Sequence, residues 1–302
     1  MKRIHALLAV AFCLICGAAI GLAYRGEAVF KNMLGAYLSI EGIKSREIQL
    51  HGHTFHLYQS ENRGDKAVIL LHGLGSDALY TWFRLMPSLA EKYHIIAIDL
   101  LYRRFQDLDE KRYTLRNELA IITALLDAEG IASADIVGLS VGAWVGAQLA
   151  ARYPDRVEKL VCIAPAGLDA RGLLSRAQVL RDVDARGFYD LLFFNPPPFP
   201  DFILNLHSAN LRRSSEDLLA CLERLAVSEE SIAIDAQQVR VPVLIVWGQN
   251  DRLLPPADAP ILAEAFPDAR VLLLENCGHA VVWDRADALA TAVKDFLAAP
   301  DH

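Results

Sequence analysis

Three side chains in this chain of 302 residues have the types and the order for nucleophilic chemistry. Ser140 lies in Gly138-Leu139-Ser140-Val141-Gly142. The apolar run 134–137 before it reads as a strand, and the small-residue run 143–151 after it reads as a helix. Strand, Gly-x-Ser-x-Gly and helix describe a sharp turn that presents a serine at the top of a sheet. Out of that context the pentapeptide is equally a glycine-rich turn with a bystander serine. A serine hydroxyl is a weak nucleophile and needs a base within hydrogen-bond reach. His279, in Glu275-Asn276-Cys277-Gly278-His279-Ala280, supplies an imidazole that titrates near neutrality. Asp251, in Trp247-Gly248-Gln249-Asn250-Asp251, would hold that ring in the useful tautomer. An aspartate in a turn is often only a turn former; here the order serine, aspartate, histidine suits the catalytic role. The expected oxyanion donors are the backbone N–H groups of Leu74, in His72-Gly73-Leu74-Gly75-Ser76, and of Val141. His72 reads as a structural histidine holding that loop. The chemistry would be acyl transfer to water through an acyl-serine, with no metal and no organic cofactor.

The elements that must position these groups alternate. Segments 46–50 and 54–58 have the alternation of a hairpin turned at His51-Gly52-His53. Residues 67–71, 94–98, 134–137, 157–163, 241–247 and 270–274 read as strands. Residues 78–91, 115–129, 143–151, 257–266 and 287–297 read as helices. The rhythm predicts an α/β fold: a mostly parallel, eight-stranded sheet with helices on both faces and the site at the strands' carboxyl ends. Residues 167–240 break the rhythm after the sixth strand. Prolines interrupt helix-like patches there, and Phe193, Phe194, Phe199 and Phe202 crowd together. They predict a helical cap whose apolar lip either packs on the core or forms an acyl-chain entrance that contacts substrate and the membrane. The hydrolase core would be 46–166 and 241–302.

A net charge of -7 argues against a nucleic-acid partner. The 5 cysteines show neither a disulfide framework nor zinc-ligand spacing, and read as buried thiols. Met1-Lys2-Arg3 precedes an apolar stretch from Ile4 to Tyr24, about the ~20 residues that cross a bilayer as a helix. Residues 1–24 are therefore expected to be a signal anchor, with the charges keeping the N-terminus cytoplasmic and the catalytic domain on the exported, periplasmic or extracytoplasmic side. Cleavage near Gly21-Leu22-Ala23 would instead give a secreted protein. Segment 25–45 carries Val29, Phe30, Met33, Leu34, Tyr37 and Leu38 on one helical face. That face suits either the membrane interface or the domain itself.

These motifs resemble the α/β-hydrolases from about residue 46 to 298, and more narrowly the membrane-anchored monoacylglycerol lipases of the abhydrolase family. The resemblance rests on the N-terminal anchor, His72-Gly73, the Ser140 pentapeptide, Ala164-Pro165-Ala166-Gly167-Leu168, Trp247–Asp251, and above all the run Leu273–Val282. It implies hydrolysis of monoacylglycerol or similar lipid esters at a membrane surface. The chain departs from it after Asp99, where relatives carry Pro-Gly-x-Gly and this sequence has Leu100-Leu101-Tyr102-Arg103-Arg104-Phe105. A carbon–carbon bond hydrolase of the same fold would use the same three residues. A hydrolase-like receptor without turnover and a tethered scaffold are the non-catalytic alternatives. Haloalkane dehalogenases and epoxide hydrolases need a carboxylate where Ser140 stands.

Overall fold

The computed structural model describes residues 26–73, 75–104, 114–166, 183–196 and 236–300, with a few positions between 178 and 223. The expected anchor and most of the expected cap lie outside the described residues. Eight strands form one sheet in the order β1-β2-β4-β3-β5-β6-β7-β8. They are β1 (Ile43–Leu50), β2 (His53–Ser60), β3 (Ala67–Leu71), β4 (His94–Ile98), β5 (Ala134–Leu139), β6 (Val157–Ile163), β7 (Val243–Gly248) and β8 (Ala269–Leu274). β2 runs antiparallel to both its neighbours, and every other pairing is parallel. The hairpin turns on His51 (φ 48°) and Gly52 (φ 78°). Two successive positive φ angles match the right-handed twist of paired strands.

The strands β3 to β7 are buried on both faces, which is why they read as largely apolar runs, whereas the edge strand β8 exposes Val271 and Leu273. In β3, Ile69 and Leu71 face one hydrophobic cluster, and Val68 and Leu70 face the other. The first cluster holds α4 (Leu115–Ala128), α5 (Val141–Arg152) and α7 (Asp258–Ala265) against the sheet. The second holds α1 (Gly26–Ile40), α2 (Ala78–Trp82), α3 (Met86–Ala90) and α9 (Ala286–Ala298). Between β6 and β7 the described helix is α6 (Ala185–Leu192). A single turn, α8 (Val281–Asp284), precedes α9.

The sequence predicts one helix over 78–91, but the structure has two. Pro87 stands in the first turn of α3, the one place in a helix where its missing N–H and fixed φ are tolerated. The apolar face of α1 turns toward the domain. Leu34 and Leu38 are buried, Phe30 stacks on Tyr80 with ring centroids 5.7 Å apart, and Lys31 pairs with Asp77 at 3.1 Å. Structure therefore begins before residue 46, the start expected for the folded domain.

A polar cluster ties the hairpin to the sheet. Gln59 Nε2 donates to His94 Nε2 (2.7 Å) and to Glu129 Oε2 (2.9 Å), while Arg46 pairs with Glu129. Burial, with the nearby Arg63 charge, lowers the His94 pKa. Burial alone would raise Glu129, but hydrogen bonds from Gln59 and Arg46 and the Arg46 and Arg63 charges outweigh it, and its pKa is lowered.

Candidate active site

Ser140 occupies the junction of β5 and α5 with φ 54° and ψ -115°. A non-glycine residue held there costs about 1–3 kcal/mol and persists only where its surroundings impose it. The surroundings do so through the backbone. Ser140 N–H donates to Ile163 O (2.8 Å), and Ser140 O accepts from Trp144 N–H and Ala166 N–H, both at 3.1 Å. The flanking glycines are required by close approach. A Cβ on Gly138 would lie 2.4 Å from Ala143 N, and one on Gly142 would lie 2.1 Å from Leu71 O. Val141 is the first residue of α5, where a backbone N–H has no acceptor within the helix and the helix dipole favours negative charge.

β7 and β8 place the other two groups at the same rim. The turn after β7 is laced to the end of β8 by Gln249 N–H to Leu274 O (2.9 Å) and Asn250 N–H to Cys277 O (2.8 Å). Asp251 and His279 are buried. His279 Nδ1 lies 2.8 Å from Asp251 Oδ2. Trp247 Nε1–H donates to the same oxygen at 3.1 Å, and Leu253 and Leu254 N–H donate to Oδ1 at 2.8 and 2.9 Å. A carboxylate surrounded by donors is an acceptor only, so the imidazole proton sits on Nδ1 and the lone pair is left on Nε2. From the strand that leads into Ser140 to the strand that leads into Asp251 is two steps across the sheet, about 10 Å, and His279 lies in the loop after the strand beyond. An imidazole with its lone pair on Nε2 can accept a proton there.

The histidine loop is held from the cap side. Asp284 Oδ2 accepts from Gly278 N–H and Phe194 N–H, both at 2.8 Å, and Ala280 N–H donates to Leu192 O at 2.7 Å. Arg252 ties the aspartate turn to the same segment through Asp190 O at 2.7 Å. Cys277, beside this loop, is buried, and burial, with the Asp284 charge, pushes its thiol up to about 12. It stays protonated and does not compete as a nucleophile. Among the described residues no group of three or more histidine, cysteine or acidic side chains could hold a metal ion.

The remaining expected site residues divide. Phe193 and Phe194 are half-buried where the cap segment meets the core. Phe193 lies 5.8 Å from the Tyr189 ring and 6.3 Å, edge to face, from Trp283. Phe199, Phe202 and Leu74 lie outside the described residues. His72 is fully buried, and its ring is spent on two backbone groups and one hydroxyl: Leu100 N–H donates to Nε2 at 2.9 Å, and Nδ1 faces Gly73 O at 3.0 Å and the Tyr102 hydroxyl at 2.7 Å. Sequence reasoning missed Trp247, Asp284 and Tyr102. Trp247 had a signal, standing in the Asp251 motif itself. Asp284 had none, because its partners Gly278 and Phe194 are backbone groups from two separate segments.

Residues 68–292 match the model of the Alpha/beta hydrolase family. The chain is 27% identical over 264 residues to a 2-hydroxy-6-oxo-6-phenylhexa-2,4-dienoate hydrolase of Burkholderia cepacia, covering 81% of this chain and 92% of that one. It is 24% identical over 257 residues to the human monoacylglycerol lipase ABHD6, covering 77% and 75%. Among solved structures, a bacterial membrane phospholipase A superposes with a TM-score of 0.75 at 23% identity, covering 98% of both chains. With the family model spanning the sheet from β3 into α9, and the strand order as observed, the chain belongs to the alpha/beta hydrolase family.

Proposed function

We propose that the chain is a serine hydrolase that cleaves carboxylic esters, and that its substrate is a lipid ester such as a monoacylglycerol. The observation that carries the reading is the buried Asp251–His279 hydrogen bond at the rim where Ser140 is held at positive φ. Ser140 Oγ attacks the ester carbonyl while His279 Nε2 accepts its proton. The N–H groups of Val141 and Leu74 receive the oxyanion. Collapse expels the alcohol with the proton returned by His279, leaving an acyl-serine. Water, deprotonated by the same imidazole, then attacks the acyl carbonyl and releases the acid. Asp251 keeps the ring in one tautomer and stabilises the imidazolium.

The lipid end of the proposal draws on the similarity to a monoacylglycerol lipase, the half-buried Phe193 and Phe194 where the cap segment meets the core, and the apolar stretch 4–24. Among the described residues no helix is long and apolar enough to cross a membrane, and residues 1–24 lie outside that set. Our proposal keeps them as the anchor, with the domain on the exported side and secretion after cleavage as the alternative. The second reading is a carbon–carbon bond hydrolase, favoured by the identity to the dienoate hydrolase. A panel of monoacylglycerols, simple esters and a dienol-ketone, run with wild type beside Ser140→Ala, separates the two. Ester turnover lost in Ser140→Ala supports the proposal. Turnover of the dienol-ketone alone replaces it with the second reading, and activity retained by Ser140→Ala removes the nucleophile.

A further inference from the structure

The cap segment meets the histidine loop backbone to backbone. Phe193 is extended, with φ -105° and ψ 145°, so Leu192 and Phe194 present their peptide groups on one edge. The first contact is a ladder bond: Ala280 N–H donates to Leu192 O at 2.7 Å. In an antiparallel ladder the next pair, Gly278 and Phe194, would donate their N–H groups to each other's carbonyls. Here both N–H groups donate instead to one oxygen, Asp284 Oδ2, each at 2.8 Å. The fit is close: a Cβ on Gly278 would lie 2.7 Å from Leu192 O and 2.8 Å from Phe194 N. Asp284 is itself held in place. Its N–H donates to Ala280 O at 3.0 Å, and the carbonyl before it, Trp283 O, accepts from Arg84 at 2.7 Å. The Trp283 ring meets Phe83 at 5.1 Å and Phe193 at 6.3 Å, both edge to face.

These bonds grip the chain on both sides of the imidazole. The Cys277–Gly278 peptide is held at its two ends: Cys277 O accepts from Asn250 N–H, next to Asp251, at 2.8 Å, and Gly278 N–H reaches Asp284. A peptide is planar, so two such bonds fix its orientation. The His279–Ala280 peptide is held likewise, by Val281 N–H on His279 O at 2.9 Å and by Ala280 N–H on Leu192 O. Of these four bonds, only the one to Asp284 uses a side chain. We propose that Asp284 is a positioning residue for the catalytic base: by gathering the Gly278 and Phe194 N–H groups onto one oxygen, it locks the His279 loop to the root of the cap and keeps the imidazole on its bond to Asp251. The proposal rests on the reading of His279 as the base of an ester hydrolase. The root of the cap is then part of the catalytic frame, joined to it by a side chain where two backbones do not pair directly. Both amides need an acceptor at that point, and a neutral oxygen would serve them.

The test sets Asp284→Ala beside Asp284→Asn. The amide oxygen of asparagine can accept both N–H groups, whereas alanine leaves them without that acceptor. Active-site titration to completion with a fluorophosphonate makes each rate a rate per folded site. A small misplacement of a reacting group costs up to about 10²-fold, so Asp284→Ala is expected to lose about 10- to 100-fold in kcat on a short ester. KM should stay within about twofold, because the base acts in the transition state. Asp284→Asn should recover kcat to within about threefold of wild type, since the acceptor is restored. Asparagine falling with alanine would show that the charge matters and not the acceptor. An alanine variant with an unchanged rate per folded site would show a clamp that serves folding alone. Either result overturns the assignment. If alanine does not fold, Asp284→Ser, whose oxygen stops one bond short of the two amides, takes its place under the same expectation; if neither folds, the role is structural and the assignment falls. Failure of the underlying reading looks different: wild type itself would not turn over esters, or Ser140→Ala would.

Discussion

On the proposed mechanism, Asp251→Asn should separate catalysis from folding. The carboxylate has two acceptor oxygens with different neighbours. Oδ1 takes two backbone N–H groups, from Leu253 and Leu254, and Oδ2 takes His279 Nδ1 and Trp247 Nε1. An asparagine keeps its oxygen toward the two amides, since the opposite rotamer would set its NH₂ against both. The NH₂ then faces Trp247 and His279. It can donate to the imidazole only if Nδ1 becomes the acceptor, which moves the ring proton to Nε2, where the Ser140 proton must go. The base is switched off by tautomer, not by displacement. The expected loss in kcat is about 10⁴-fold, the scale of this substitution in other serine triads, or about 5.5 kcal/mol at 1.36 kcal/mol per decade. Folding should suffer far less. Trp247 Nε1 also points at Leu254 O, 3.3 Å away, so its N–H keeps an acceptor, and the loss should be about 1 kcal/mol. Steady-state ester hydrolysis and a thermal melt on the same preparation check both halves. Activity within tenfold of wild type in a folded Asp251→Asn protein would refute the reasoning.

Gly142→Ala should lose about 3 kcal/mol or more, because its Cβ would overlap Leu71 O at 2.1 Å, whereas Gly35→Ala in α1, with nothing within 4 Å, should gain about 1 kcal/mol. Chemical denaturation of the two variants compares them directly. Acid should destabilise the hairpin edge in two stages. His94 and Glu129 both have lowered pKa values in the folded chain, so the unfolded chain binds more protons in acid. Stability is expected to fall as pH drops below about 6.5 through His94, and again below about 4.5 through Glu129. Melting temperature against pH reads this, and His94→Gln should flatten the upper stage. A wild-type curve that is flat from pH 7 to 5 would count against it.

Much of this protein was legible in order and spacing. The Ser140 turn, the Asp251 turn and the His279 loop each follow a strand-like run, and parallel strands connected by helices bring successive strand ends to one rim. Local sequence carries such information because strand periodicity, glycine at crowded turns and serine–aspartate–histidine order are properties of neighbouring residues. Even there, the helix expected over 78–91 breaks at 83–85 and restarts so that Pro87 falls in the first turn of α3, where a proline is tolerated. Other features belong to the folded chain alone. The face of α1 reads equally as a membrane surface or a core surface, since an apolar stripe does not say what covers it; Leu38, fully buried on the domain, does. Asp284 bridging Gly278 to Phe194, and Tyr102 reaching Gly73, join segments far apart in the chain through backbone atoms that every residue shares. A side chain's type announces its chemistry in the sequence. Which backbone groups it meets is decided only when the sheet closes around them.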